Sequence, residues 1–296
     1  MLEQGSVGVI GSGQVGALLA IRLHQQNLLK YIINRNSNRL QRLLDNGIDS
    51  TIILDNISSI TDKVDFIIIA TQENQIQNVV IDLLRLTIPL DNTIIFHTSG
   101  SLTKEVLKDL SVAKAGIAAA HPFQTFYKFD ISTLKKIAWG IDSSASDFLL
   151  ISQLIQAIDG VPIKLSKKAI EQKDLYHISA IIASNFLMGL LTNTKELLGD
   201  IDLKPEVFLA PIVHQTVHNF FENENNQNIP ITGPIARADN ITIRRHITAL
   251  EKLPEFQKFY SEYSLLLLNT LKSKELINSD SYLELLKSLN ISNSSL

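Results

Sequence analysis

Two groups of residues in this chain have types and spacings that can do chemistry. The first is the stretch VGVIGSGQVGALLA at 7–20, with glycines at Gly11, Gly13 and Gly16 between two apolar runs. Gly11 can turn the chain as a strand ends, Gly13 lets backbone N–H groups approach a pyrophosphate, and Gly16 lets a helix pack closely on the strand. The turn Gly11, Ser12, Gly13, Gln14, Val15 and Gly16 then aims the helix's free N–H groups and partial positive charge at a phosphate. Context raises a glycine pattern to a dinucleotide site, and the context is present: an apolar run before it, helical spacing over Ala17 to Gln26 and a second β-branched run, KYIINRN, at 30–36.

The end of that second run bears on which dinucleotide. A carboxylate about 20 residues past the glycines usually holds the ribose hydroxyls of NAD. Here the sequence reads Asn34, Arg35, Asn36, Ser37 and then Arg39, with no carboxylate. An amide, a hydroxyl and a guanidinium suit a 2′-phosphate, so NADPH is expected rather than NADH. In an open parallel sheet ligands lie beyond the carboxyl ends of the strands, which places Ala70, Thr71 and Thr98 along the cofactor and Ser99 and His121 near its reactive end. Ser99 and Ser101 can equally cap the following helix, and the proline after His121 can equally mark a rigid loop.

The second group lies in LYHISAIIASNFLMGLL, an apolar stretch broken by His177, Ser184 and Asn185. On a helix turning about 100° per residue, His177 and Ser184 fall about 20° apart and Asn185 about 80° from His177, so all three can share one cleft. An imidazole can give up a proton near neutral pH, and the hydroxyl and amide can orient a carbonyl. A hydrogen-bonded core histidine is the competing reading. Further on, ITGPIARADNITIRRH at 231–246 supplies Thr232, Arg237 and Asp239. Arg237 can clamp a carboxylate and Asp239 can orient a neighbour, unless the two simply pair at a helix start. His214 and His218 are four apart without a third ligand at suitable spacing, so no metal site is expected.

These residues need a scaffold, and the first half of the chain supplies one. Continuous apolar strands are expected at DFIIIAT (65–71), NTIIFHTSG (92–100) and AGIAAAHP (115–122), separated by helical stretches at 74–86 and 102–110. Such runs indicate strands covered on both faces. The expected fold class is α/β: a doubly wound parallel sheet of Rossmann type over 1–163, then an all-α domain over 164–296 opening with a long helix at about 167–198. ENENNQN at 222–228 reads as a loop and NISNSSL at 290–296 as a frayed tail.

Bulk properties narrow the classes. With 296 residues and 45% hydrophobic content the chain can build a core, and a net charge of −3 without basic clusters argues against nucleic acid. The absence of cysteine excludes disulfides and thiolate chemistry and fits a reducing cytoplasm. No basic stretch with a cleavage site opens the sequence and no apolar run reaches about 20 residues, so neither export nor a membrane partner is expected. The apolar helix at 175–191 exceeds what one small domain buries, which predicts a homodimer.

GVIGSGQVG, HTSGSL, HPFQTF, YHISAIIASNFL and TGPIARAD together resemble Rossmann-like NADP-dependent oxidoreductases whose C-terminal helical domain is a domain of unknown function. These are distant relatives of 6-phosphogluconate dehydrogenase and pyrroline-5-carboxylate reductase. Within the group the resemblance is strongest to the alternative ketopantoate reductases of pantothenate synthesis, and it implies NADPH-dependent reduction of a 2-oxo acid, 2-dehydropantoate, to pantoate. The usual ketopantoate reductases carry a catalytic lysine with an asparagine four residues later on the first helix of the second domain. Here the inward stripe carries His177, Ser184 and Asn185 instead, and Lys173, one turn before His177, is the reserve proton donor. An imine reductase of the pyrroline-5-carboxylate type and a non-catalytic NADPH-binding sensor are the alternatives.

Overall fold

The computed structural model describes residues 6–223 and 230–290. Most of the expected loop at 222–228 and of the tail at 290–296 lies outside the described residues. The chain forms two compact units, Met1–Thr194 and Lys195–Leu296. That division falls some thirty residues beyond the expected boundary at 163/164, because the first helices of the expected second domain group with the sheet.

In the first unit the elements run β1 (Val7–Ile10), α1 (Gln14–Gln25), β2 (Leu29–Ile33), α2 (Leu40–Asp45), β3 (Ile53–Leu54), β4 (Phe66–Ile69), α3 (Glu73–Leu84), β5 (Ile94–His97), β6 (Gly116–Pro122), β7 (Ala138–Asp142), α4 (Ala145–Ala157), β8 (Val161–Lys164), α5 (Lys167–Glu171) and α6 (Lys173–Ile181). One eight-stranded sheet has the order β3-β2-β1-β4-β5-β6-β7-β8. Every pair is parallel except β6 with β7, where His121 stands opposite Gly140. The central strands β1, β4 and β5 are buried at every residue, which is why they read as unbroken apolar runs. Alternate residues feed opposite faces. Val7, Val9, Phe66 and Ile68 pack with Leu18 and Leu19 of α1 and Leu154 of α4. Ile10, Ile67 and Ile69 pack with Ile76, Val80 and Leu83 of α3. Each such fully buried aliphatic side chain contributes roughly 1.5–3 kcal/mol.

Three differences from the sequence reading stand out. The helix expected at 102–110 is a run of 3₁₀ turns over Lys104–Ala113, with Leu107 and Leu110 buried at the i, i+3 spacing that geometry stacks. Strands β3, β7 and β8 extend the sheet beyond the five expected, and β7 runs antiparallel to β6. The long helix expected at 167–198 breaks at Gln172, whose backbone leaves the helical region (φ −112°, ψ 43°). It then widens into π-type turns over Ile182–Phe186 before α7 (Leu187–Gly199). Ser184 accompanies the widening by donating its hydroxyl to the Ala180 carbonyl at 2.8 Å, a local bond that bends helices. From Lys173 to Gly199 the helical path covers 27 residues, which by length and composition alone is enough to cross a membrane.

In the second unit α8 (Pro205–Glu222), α9 (Asn240–Ala249), α10 (Pro254–Ser273) and α11 (Ser279–Ser288) follow, with no strand among the described residues, as expected. Ile243 and Ile247 of α9, Leu268 and Leu271 of α10 and Leu285 and Leu286 of α11 form its core.

Candidate active site

The glycine turn joins β1 to α1 as its spacing requires. Gly11 has φ +108°, and a Cβ there would lie 2.7 Å from the Ala70 carbonyl oxygen. A Cβ on Gly16 would lie 2.0 Å from the Gly11 carbonyl oxygen, so α1 can start where it does only on glycine. Gly13 differs: the nearest atom to a Cβ there is Arg39 Nη1 at 3.8 Å. The space beside Gly13 belongs to a cleft of about 590 Å³ lined by the glycine turn, Arg35, Arg39, Ala70, Thr71 and Thr98.

At the end of β2, Asn34 is buried, and its side-chain oxygen accepts from Ser12 Oγ at 2.5 Å and from the Asn36 N–H at 3.3 Å. Asn34 therefore ties the glycine turn to β2, with only its NH₂ left to donate. Arg35 reaches Asp82 at 3.3 Å. Ser37 starts a short 3₁₀ turn ending at Arg39 and is not among the cleft's lining residues. The cleft wall holds Arg39 instead, a second guanidinium beside Arg35. Thr71 Oγ1 is buried there without a hydrogen-bond partner among the described residues.

A second cleft, of about 990 Å³, is lined by His121, Gln124, Thr125, His177, Ser184 and Asn185 with Phe123, Phe126, Ile181 and Met188 among its apolar walls. His177, Ser184 and Asn185 thus face one cavity, with Ser184 and Asn185 lying within the π-type turns. Ser184 also donates to Asn185 Oδ1 at 2.8 Å. Gln14 belongs to the first cleft and donates weakly to the carbonyl of Tyr127, which belongs to the second, at 3.4 Å. The two clefts therefore adjoin within the first unit.

Between them lies the loop 97–102. Ser99 and Ser101 both donate their hydroxyls to the Glu73 carboxylate, Ser101 at 2.7 Å. The Ser99 N–H goes to His97 Nδ1 at 3.2 Å, and the N–H groups of Ser101 and Leu102 go to Ser99 Oγ at 3.2 and 3.1 Å. Ser99 is thus committed to its own loop, with no proton left for a substrate carboxylate. Burial pushes His97 below its usual range, and the two serine hydroxyls help hold Glu73 below its own against the opposing effect of burial. Gly100 in the same loop touches both candidate imidazoles: a Cβ there would sit 2.5 Å from His177 Nδ1 and 2.9 Å from His121 Nε2.

Lys173, the reserve donor, is 4% exposed and is not among the residues lining the second cleft. Its Nζ has no hydrogen-bond partner among the described residues and lies 4.6 Å from the Tyr176 ring centroid. Burial lowers its pKa, opposed by the charge of Asp142. Sequence reasoning missed Glu73, Gly100, Arg39 as a lining group and Tyr176.

Thr232, Arg237 and Asp239 belong to the second unit. Asp239 caps α9, accepting from the Thr242 N–H at 3.0 Å and hydroxyl at 2.7 Å, and these bonds hold its carboxyl below the usual range. The Arg237 N–H donates to the Gly233 carbonyl at 3.2 Å as the chain turns into that cap. His214 and His218 are exposed on α8, and no group of three or more metal-ligating side chains occurs among the described residues.

Residues 2–122 match the family model described as a Rossmann-like domain, and residues 137–266 the one described as a domain of unknown function, DUF2520. Comparison with curated proteins finds no match. Among solved structures the chain is similar to a protein from Bacteroides fragilis described as an NADP oxidoreductase. The TM-score is 0.72 at 20% identity, over 89% of this chain and 98% of that one. It is similar to an imine reductase from Pseudomonas sp. with a TM-score of 0.60 at 17% identity, over 99% and 95% of the two chains. It is also similar to the pyrroline carboxylate reductase of Plasmodium falciparum with NADP bound, with a TM-score of 0.57 at 14% identity, over 95% and 98%. At these identities the likeness establishes the fold.

Proposed function

We propose that the chain is an NADPH-dependent reductase that delivers hydride to a polarised carbonyl-type carbon. The observation that carries this reading is the meeting, in one unit, of a phosphate-cradling glycine turn and a mostly apolar cleft holding His121, His177, Ser184 and Asn185. The cofactor supplies the hydride; the chain orients the acceptor and supplies a proton. The names of its structural neighbours, which include NADP oxidoreductases and reductases of C=N bonds, support the same chemistry.

At the level of substrate, the resemblance of HTSGSL, HPFQTF and TGPIARAD supports a 2-oxo acid, 2-dehydropantoate, reduced to pantoate. A second reading, reduction of an imine, is favoured by a specific observation. The Ser99 loop already holds the Glu73 carboxylate, and a protonated imine suits that charge better than a second carboxylate does. An NADPH-oxidation screen over 2-oxo acids and cyclic imines tests the proposal. Turnover with 2-dehydropantoate supports the first reading, and turnover confined to imines supports the second. NADPH binding without turnover on any substrate identifies a sensor and overturns the reductase.

Cofactor preference follows from Arg35 and Arg39. Replacing either with Ala is expected to raise KM for NADPH much more than for NADH, with the larger effect at Arg39, because Asp82 already engages Arg35. Equal effects on the two cofactors contradict recognition of a 2′-phosphate.

We also propose a homodimer. Phe186 is 64% and Met188 65% exposed on the helical path from Lys173 to Gly199, and Ile212 is 64% and Phe220 61% exposed on α8. Apolar surface of this kind marks an interaction site, and covering it with a second copy restores the burial it lacks. Light scattering at micromolar concentration is expected to give twice 33 kDa, and Phe186→Glu with Met188→Glu to shift the mass toward one chain. A monomeric wild-type protein contradicts the proposal.

A further inference from the structure

His121 and Tyr176 form an arrangement that the reading above does not use. In the antiparallel pair of β6 with β7, His121 stands opposite Gly140. A Cβ at Gly140 would come within 2.5 Å of the Tyr176 hydroxyl, so the missing side chain makes the space that hydroxyl fills. From there the hydroxyl lies 3.0 Å from His121 Nδ1.

The hydrogens of this pair can be placed in two ways. If Nδ1 carries a proton and donates it, the phenol's own hydrogen has no acceptor among the bonds of the described residues and is left to solvent. If the phenol donates to Nδ1, both groups are satisfied, and a neutral imidazole must then carry its hydrogen on Nε2. The Nε2 edge turns toward Gly100, which it shares with His177, and His121 lines the second cleft.

Charge agrees with this. Burial pushes His121 down to about 4, and positive charge at Lys173 and at the His177 ring acts in the same direction. Glu73 opposes them and His97 adds slightly. Burial likewise pushes the Tyr176 phenol up to about 12, so it keeps its proton. The ring is therefore uncharged at neutral pH.

We infer that His121 is a catalytic hydrogen-bond donor, its neutral Nε2–H aimed at the heteroatom of the substrate's double bond, and that Tyr176 is the positioning residue that fixes this tautomer. This deepens and rests on the reductase reading. As hydride reaches carbon, negative charge grows on the heteroatom and the bond from Nε2–H strengthens, which stabilises the transition state more than the ground state. A neutral imidazole does this without giving up its proton, and His177 remains the group that delivers one.

Long-range ¹⁵N–¹H correlation NMR on the full-length labelled protein at pH 7 tests the tautomer without any substrate, with His121→Gln assigning the signals. The expected spectrum has hydrogen on Nε2 and a bare Nδ1, and Tyr176→Phe is expected to introduce the second tautomer. An Nδ1–H ring or an imidazolium in the wild type overturns the inference. In turnover, Tyr176→Phe is expected to lose about 10-fold and His121→Gln about 10²-fold in kcat, with KM for NADPH unchanged. The phenylalanine ring still lies under Lys173, so a purely structural role for Tyr176 predicts a lowered Tm with kcat intact, and that result overturns its positioning role. An Nε2–H ring whose His121→Gln variant turns over normally overturns the catalytic role alone. A wild-type protein that oxidises NADPH with no carbonyl or imine overturns the reductase reading and the role of His121 toward substrate, while the spectrum still reports the hydrogen arrangement.

Discussion

Replacing His177 by Asn is expected to leave NADPH affinity intact and to lower turnover by roughly 10²- to 10⁴-fold, the usual worth of a general acid. The ring lines the second cleft and is absent from the first, so loss of its proton should touch the chemical step and not cofactor binding. Its Nδ1 is buried without a hydrogen-bond partner among the described residues. A histidine kept only for structure would have that atom satisfied, since an unmet buried polar atom costs about 1–3 kcal/mol. The structural alternative predicts a lower Tm with kcat preserved in the folded fraction. Lys173→Met provides the comparison. Its Nζ is enclosed and does not line the second cleft, so this variant is expected to retain most turnover. If Lys173→Met abolishes turnover and His177→Asn does not, the donor lies one helical turn earlier.

Gly16→Ala is expected to abolish measurable NADPH binding and to lower Tm. The added methyl would sit 2.0 Å from the Gly11 carbonyl oxygen, a backbone atom that cannot rotate away. The start of α1 must shift, and its free N–H groups lose their aim at the phosphates. Overpacking against rigid neighbours costs typically 1–3 kcal/mol. Gly13→Ala separates fold from ligand: its methyl meets nothing in the chain closer than 3.8 Å, so Tm should hold. Because that methyl points into the cleft, NADPH binding should still weaken. Calorimetry with and without NADPH checks both variants, and a Gly13→Ala protein that binds NADPH like the wild type removes the phosphates from this turn.

The two variants also mark how far the sequence could be read. Gly11 and Gly16 have local reasons that spacing exposes, and Val7–Ile10, Phe66–Ile69 and Ile94–His97 are recognisable because helices cover both their faces. β8 carries no such signal: an edge strand with Val161, Ile163 and Lys164 exposed and Pro162 inside it does not read as a buried run. β7 was hidden by Gly140, which interrupts its apolar run, and with it went the reason for Tyr176, since that hydroxyl is placed by the glycine opposite His121. The clustering of His177 with Ser184 and Asn185 was legible from helical periodicity, but the π-type turns that carry Ser184 and Asn185 were not, because nothing in IASNF distinguishes a wide turn from a regular one. Glu73 escaped for a different reason: it opens α3, and its connection to Ser99 and Ser101 spans 26 and 28 residues.

Direct hydride transfer from cofactor to substrate leaves an isotopic trace that deuterium labelling reads. NADPH carrying deuterium at one face of C4 is supplied to the enzyme with each substrate that supports turnover, and the product is weighed by mass spectrometry. One deuterium is expected on the reduced carbon from one face of the cofactor only, with no label from the other. Product without label from either face, or no product at all while NADPH binds, contradicts direct hydride transfer.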